Sequence, residues 1–443
     1  MSNPSETRIQ RQHGDVRGKD PRTSFQIDRD RLMYTSGLRR LGDVTQVISP
    51  QDYTFHNRLT HTYEVAQIGR RMAEYIVKGI NSQGELERLH HMDPDVVEAA
   101  CFLHDLGHPP FGHVAEEQLD KLSAEAGGFE GNAQSFRIAT RLALHSDRYL
   151  GLNLTRATLN AVLKYPWTRA KIEDNPKRHR KFGAYPDDTE SFYFARDGSD
   201  EQALEPRSLE AQVMDHADAI AYAIHDLVDF FRAGLLPLNY LMTEENIYDF
   251  LTKIDHKSEI LPDSLDLSLE DVADYLVDEL SSKFPFDRPY DGSRQQQFEL
   301  YRASSVMIGR YTANHEVNWA SSSPILKIDP FHELEINFLK RLIWHYVINR
   351  PQLGTQQYGM KHVIRYLFNA YQECINGCEG RLIPDLFKEE YDNIINNQVQ
   401  DLSKARIRLA TDIVASLSDG QALSLFKRLS GVELGKITDF IGN

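Results

Sequence analysis

Ten consecutive residues, His104-Asp105-Leu106-Gly107-His108-Pro109-Pro110-Phe111-Gly112-His113, hold three imidazoles and a carboxylate around two glycines and two prolines. A fold does not need that concentration of ligand-type side chains, whereas a divalent metal beside an anionic substrate does. A metal that activates water on a phosphate ester takes nitrogen and oxygen ligands and keeps coordination positions open. Neighbouring residues on a helix point about 100° apart, so an ion reached by both His104 and Asp105 sits off the helix end or between their faces, with room for ligands from other helices. His61 follows Asn57-Arg58-Leu59-Thr60, beside a helical stripe, and is one candidate. Asp218 is the other, a carboxylate among Ala217, Ala219, Ile220 and Ala221 that must find a partner or weaken the fold. Alone, His61 reads as a structural histidine and Asp218 as a surface carboxylate paired with a cation. A bare His-Asp pair means little, since another occurs at His225-Asp226 without a glycine turn or a histidine cluster.

Two further spacings carry chemistry. His113 and Glu116 are three apart and share a helix face. A carboxylate beside an imidazole orients the ring and raises its basicity, which suits proton transfer; the plain alternative is a surface ion pair. Asp218, Tyr222 and Asp226 are spaced by four, so they drift only about 40° per step around a helix. One face then presents a carboxylate, a phenol and a second carboxylate, against the alternative of an ordinary core tyrosine.

The elements that must position these groups are helical. Residues 1–27 are polar and charged and read as a loose arm. From Asp28, apolar residues recur at near-helical spacing, and after the loop Ser49-Pro50-Gln51-Asp52 the stripe Val65, Ile68, Met72, Ile76 marks another helix. Asp93 with Pro94 starts the next, which runs to His104-Asp105 and stops at Gly107. Asn132 is expected to cap a helix through Phe136, Ala139 and Leu142, and Thr155 a short one ending near Tyr165. Residues 174–206 carry prolines, charges and the run Ser191-Phe192-Tyr193-Phe194, so they read as a loop with a small hairpin. Ser208 caps a long helix stopped at Gly234. Beyond Pro237 the pattern stays helical, with breaks at Pro262 and Pro285 to Pro289. The class is all-α, with a core over 28–235 and a further helical region over 236–443.

Composition narrows the functions. Against 50 Lys and Arg stand 65 Asp and Glu, a net charge of −15, which disfavours general nucleic-acid binding and requires a local cationic pocket or a metal for any anionic ligand. Three cysteines, Cys101, Cys374 and Cys378, suit a reducing cytoplasm. The spacing of Cys374 and Cys378 is a weak metal signal without a second pair. With no secretory leader and no run of about 18 apolar residues, neither secretion nor membrane spanning is expected.

His61, His104-Asp105 and Asp218 in that order resemble the H…HD…D pattern of the HD-domain metal-dependent phosphohydrolases. Further ordered blocks resemble the deoxyguanosine triphosphate triphosphohydrolases among them: Arg40-Leu41 with Thr45-Gln46-Val47, Arg58-Leu59-Thr60-His61, the histidine-rich decapeptide, Phe129-Glu130-Gly131-Asn132-Ala133-Gln134, Lys164-Tyr165-Pro166-Trp167, and Asp218 with Tyr222 and Asp226. The likeness spans about residues 28–235. It implies an HD-domain helical bundle with extra C-terminal helices, and one divalent metal on His61, His104, Asp105 and Asp218. Mg²⁺, Mn²⁺, Fe²⁺, Ni²⁺, Co²⁺ and Zn²⁺ all suit two histidines with two carboxylates. It further implies Arg58, His108 and Lys181 on phosphates, His113 with Glu116 as the catalytic pair, and Gln46, Tyr222 and Asp226 at the sugar. The implied reaction converts a deoxynucleoside triphosphate, dGTP foremost, to deoxynucleoside and inorganic triphosphate. The implied assembly is a homo-oligomer, tetramer or hexamer, with single-stranded nucleic acid as a weak regulatory partner. Two departures stand out: Val44 occupies a position where many relatives have lysine, and Gly131 one where some branches place a catalytic histidine. Competing readings keep the metal but act on nucleoside monophosphates or cyclic nucleotides, or lose activity and serve as a nucleotide or single-stranded nucleic-acid sensor.

Overall fold

Capping side chains set where the main helices begin. Asn57 accepts a hydrogen bond from the amide of Thr60, Asp93 from Asp95, Thr155 from Thr158 and Ser208 from Ala211. Each such cap contributes about 1 kcal/mol. The computed structural model describes residues 4–14, 20–47, 55–198, 207–254, 260–284, 287–313, 315–320, 323–349, 351–377 and 380–434. The loop at 49–52, Cys378 and Pro285 lie outside them.

The chain is all-α, as its periodicity predicts. The first half runs α1 Pro4–Arg8, α2 Ser24–Tyr34, α3 Ser36–Arg40, α4 Arg58–Gln83, α5 Pro94–Leu103, α6 His113–Leu122, α7 Gly131–Arg137, α8 Arg156–Ala161, α9 Pro176–Arg180, α10 Thr189–Ala195, α11 Leu209–Ala221 and α12 Leu227–Arg232. The second half runs α13 Leu238–Leu241, α14 Glu244–Lys253, α15 Leu269–Ser281, α16 Arg294–Thr312, α17 Pro330–Ile343, α18 Pro351–Asn376, α19 Lys388–Ile395, α20 Leu402–Ala415 and α21 Asp419–Leu429. Between α16 and α17 the strands β1 Glu316–Asn318 and β2 Ile325–Lys327 pair antiparallel, with Val317 opposite Leu326.

Apolar residues sort into two main cores. The larger joins α4, α5 and α11, where Val65, Ile68, Met72 and Ile76 are buried with Val97, Cys101 and Ala217, and extends through α14 to α17. Gly69 allows α4 to press on α5, since a Cβ there would stand 2.7 Å from the Cys101 sulfur. The smaller core packs α6 against α18, α20 and α21 through Ala115, Leu119, Ile364, Leu367, Ile413 and Val414. Cys374 is buried there.

Several expected boundaries move. The cap of α7 is Glu130, not Asn132, because its carboxylate accepts from the amides of both Asn132 and Ala133. The helix after Thr155 ends at Ala161. No hairpin forms in the described part of 174–206. Asn175 and the 3₁₀ turn Pro186–Asp188 start short helices, and Phe192 buries in the larger core from α10. The prolines there begin helices rather than break strands. The helix from Ser208 is interrupted by a π turn, Tyr222–Asp226, before α12. Within the polar N-terminal segment, Arg11 is buried, donating to Asp28 and to the carbonyls of Ser24 and Asn153. Polarity alone does not distinguish such a buried guanidinium from a solvated one. Among the described residues no helix is long and apolar enough to cross a membrane.

Candidate active site

Three helical segments deliver the four ligand-type side chains to one place. The first turn of α4 carries His61, the end of α5 carries His104 and Asp105, and α11 carries Asp218. Gly107 lets the turn after α5 lie against α7, because a Cβ there would fall 2.2 Å from the Gly131 carbonyl oxygen and the Ser135 nitrogen. His61 Nε2 lies 3.2 Å from Asp218 Oδ1, and His104 Nε2 lies 3.4 Å from Asp105 Oδ1 and 3.8 Å from Asp218 Oδ1. Ligand atoms of His61, His104 and Asp105 all fall within 4.8 Å of one another.

Hydrogen bonding prepares this group for a cation. His104 Nδ1 donates to the Cys101 carbonyl at 2.6 Å, which leaves Nε2 as a bare lone pair, buried and without a hydrogen-bond partner. The outer oxygens of the two carboxylates are paired: Arg58 with Asp105 Oδ2 at 2.7 Å, and Lys164 with Asp218 Oδ2 at 3.2 Å. Their inner oxygens face the imidazole nitrogens. Burial alone would raise both acids, but His104 and Arg58 at Asp105, and Lys164 and His61 at Asp218, hold both carboxyls well below the ordinary range. Two ionised carboxylates facing two imidazole nitrogens in a buried site fit a divalent ion with mixed nitrogen and oxygen ligands.

A cavity of about 370 Å³ opens over this cluster. Its walls include Gln46, Arg58, His108, His113, Lys181 and Tyr222. His113 Nδ1 lies 2.9 Å from Glu116 Oε2, with the imidazole 71% exposed and the carboxylate 10%. The ring therefore faces open space while the acid behind it is shielded. Glu116 also accepts from the Gly131 amide at 3.2 Å and from Lys181 at 3.3 Å. Burial would raise Glu116, but the His113 hydrogen bond and charge, with Lys181, hold it well below the carboxylate range. His108 is pushed down to about 4 by burial and by the Arg58 charge, so it stays neutral near pH 7. His108, His113 and Glu116 form a second group with ligand-type atoms close together.

Tyr222 reaches the wall of the cavity, and Asp226 does not. The π turn widens the helix by about one residue per turn, so Tyr222 and Asp226 stay aligned, but Asp226 lies behind, 3% exposed, with Oδ2 unpartnered. Burial raises its carboxyl to about 7, against the offsetting His61 charge.

Some of the lining was not singled out from spacing. Lys164 lies 2.7 Å from Asp215 as well as touching Asp218, and it sits in a motif already legible at 164–167. Lys340 from α17 and Gln357 from α18 close the far wall. Burial lowers the Lys340 ammonium. No local pattern distinguishes these two from ordinary polar positions on amphipathic helices.

The HD domain profile matches residues 58–223, and the phosphohydrolase-associated domain profile matches 326–428. The chain is 35% identical to a deoxyguanosinetriphosphate triphosphohydrolase-like protein of Streptomyces coelicolor over 93% of each chain. It is 35% identical to one of Bifidobacterium longum, over 91% of this chain and 82% of that one. A third, from Corynebacterium efficiens, is 33% identical over 93% and 92% respectively.

Proposed function

We propose, from the premise that this chain belongs to the deoxyguanosinetriphosphate triphosphohydrolase-like family of HD-domain phosphohydrolases, that it hydrolyses a deoxynucleoside triphosphate to deoxynucleoside and inorganic triphosphate. The observation that carries the reading is the placement of an exposed imidazole backed by a buried carboxylate in the same cavity as the His61, His104, Asp105 and Asp218 cluster. Those four side chains would hold the metal, which when bound lowers the pKa of water and polarises a phosphoryl oxygen.

The protein's own groups supply the rest. Arg58, Lys164, Lys181 and Lys340 ring the cavity with cations, which offset the developing phosphoryl charge in a chain of net charge −15. His108, neutral near pH 7, offers a hydrogen bond to a phosphate oxygen without adding charge. Water oxygen bonds to the α-phosphorus as the bond from phosphorus to the sugar 5′ oxygen breaks, and one proton of that water ends on the 5′ oxygen. His113 carries protons through its cavity-facing nitrogen, while Glu116 stabilises the imidazolium. Tyr222 lies beneath the sugar, where a 2′ hydroxyl would clash, and Gln46 meets the sugar edge. Asp226, one layer behind Tyr222, reaches the 3′ hydroxyl only if the sugar inserts past the phenol.

Product analysis tests the reading. With dGTP or another deoxynucleoside triphosphate and Mn²⁺ or Mg²⁺, ³¹P NMR should show inorganic triphosphate as the only phosphorus product. Release of phosphate or pyrophosphate, or hydrolysis of monophosphates or cyclic nucleotides alone, would refute it. Tight nucleotide binding without turnover would favour a sensor.

A further inference from the structure

A second cavity lies behind the histidine-rich turn, between α3, the π turn Ile138–Leu142 and the approach to α21. Its volume is about 450 Å³, within the ~300–1,000 Å³ range of small-molecule sites. Its walls are apolar where Ile138, Leu142, Phe387, Ala415 and Leu417 meet.

The charged groups around it are satisfied, with one exception. Asp412 is taken by Gln134 and Arg137. Asp43 accepts from the Ser418 hydroxyl at 2.5 Å and the Gly420 amide at 3.0 Å. Arg40 donates to the carbonyls of Leu417, Leu106 and His108. Arg39 stands exposed on the lining with no hydrogen bond or ion pair among the described residues. A lone unpaired guanidinium beside an apolar hollow is a local cation that attracts a ligand offering a negative group on an apolar body, against the net chain charge of −15.

We propose that this cavity binds a small amphipathic anion, an apolar ring system with one negative group, and that the 417–419 turn transmits its occupancy to the active site. The ring enters the apolar hollow and the negative group pairs with Arg39. Leu417 and Ser418 line the cavity. The next residue, Asp419, accepts from the Phe111 amide at 2.7 Å, from the Thr45 amide at 3.1 Å and from the Thr45 hydroxyl. Phe111 has φ +67°, a left-handed conformation that strains an aromatic residue. Asp419 thus holds a strained residue two positions before His113, and the residue immediately before Gln46. A ligand that shifts the turn by a few tenths of an ångström alters both holds. The effect on catalysis rests on the function proposed above; the site itself does not.

The probe is 8-anilinonaphthalene-1-sulfonate, an aromatic anion whose fluorescence rises in apolar surroundings. The full chain should bind one equivalent saturably. Arg39→Gln removes the charge, and Leu386→Glu adds a repelling one at a lining residue already 44% exposed, so both variants fold. Each should weaken binding at least about tenfold and leave basal hydrolysis unchanged. On saturation, deuterium uptake at the Thr45 and Phe111 amides should change in the parent protein, and triphosphate release should change with it. Unsaturable binding, or equal affinity in all three proteins, overturns the site. Saturable binding with unchanged uptake at those amides overturns the coupling. If no deoxynucleoside triphosphate is hydrolysed, the proposed function falls, while fluorescence and exchange still decide this site.

Discussion

The two main cores of this chain hold different parts of one candidate active site. The larger core fixes the metal-type ligands, since α4, α5 and α11 are packed on one another by their own apolar stripes. The smaller core fixes the proposed proton-transfer pair, because α6, which carries His113 and Glu116, is packed on α18, α20 and α21. The turn 104–113 crosses from one core to the other. Arg40 and Asp419 hold that turn from both sides. The difference shows that a ligand set can be built by helices of the first half of the chain, with His61 and Asp218 157 positions apart, while its alignment with the proposed acid–base pair depends on contacts such as Phe111 to Asp419, 308 positions apart.

Substitutions in each core should separate chemistry from alignment. The largest effect is expected from Asp218→Ala, which should abolish metal-dependent turnover and bound metal while leaving the melting temperature near that of the parent. Full activity with normal metal content would remove α11 from the site. Next is Asp412→Ala in the smaller core. It strips a fully buried carboxylate from Arg137, whose other ion-pair partners are the buried Asp188 and, at 3.7 Å, Glu390, and breaking such a pair costs about 3–5 kcal/mol. Denaturant unfolding should show that loss, and activity per folded molecule should change far less. A large fall in kcat at unchanged stability would contradict the division between the cores. Smaller again is Tyr222→Ala, which should reduce the preference for deoxy- over ribonucleotide by about tenfold, near 1.4 kcal/mol. Unchanged kcat/KM ratios would place the sugar elsewhere.

The smallest expected effect is a pH dependence on the outer face of α4. His56 and His225 flank Glu64, and burial is outweighed by their hydrogen bonds, which hold its carboxyl down to about 2. A depressed carboxyl stabilises the fold above its ordinary value of 4.5, and that contribution fades as pH falls toward 2. Partial solvent screening limits it. Glu64→Gln should therefore lower Tm by about 2–4 °C at pH 6, with the gap closing between pH 4.5 and 2. A gap that persists at pH 2 would assign the effect to packing.

Much of this was legible without coordinates. The caps Asn57, Asp93, Thr155 and Ser208 and the 3.6-residue stripes depend on nearest turns, so their signal is written in adjacent residues. The His61, His104, Asp105 and Asp218 set was visible only as an ordered set, since His61 and Asp218 alone read as structural residues, and the His113 to Glu116 spacing named its own pairing. The π turn was not visible, because widening one turn changes no residue type. Nor were the short helices in 174–195, whose prolines also suit loops.

The amino-acid order alone determined which residue types are available for the reaction and that helices would carry them, since both follow from local spacing. Tertiary structure decided that Lys340 and Gln357 would close the pocket, that Asp226 would sit behind Tyr222, and that Asp419 would hold the turn before His113. Those placements come from close packing between distant segments, which leaves no periodic mark on either partner.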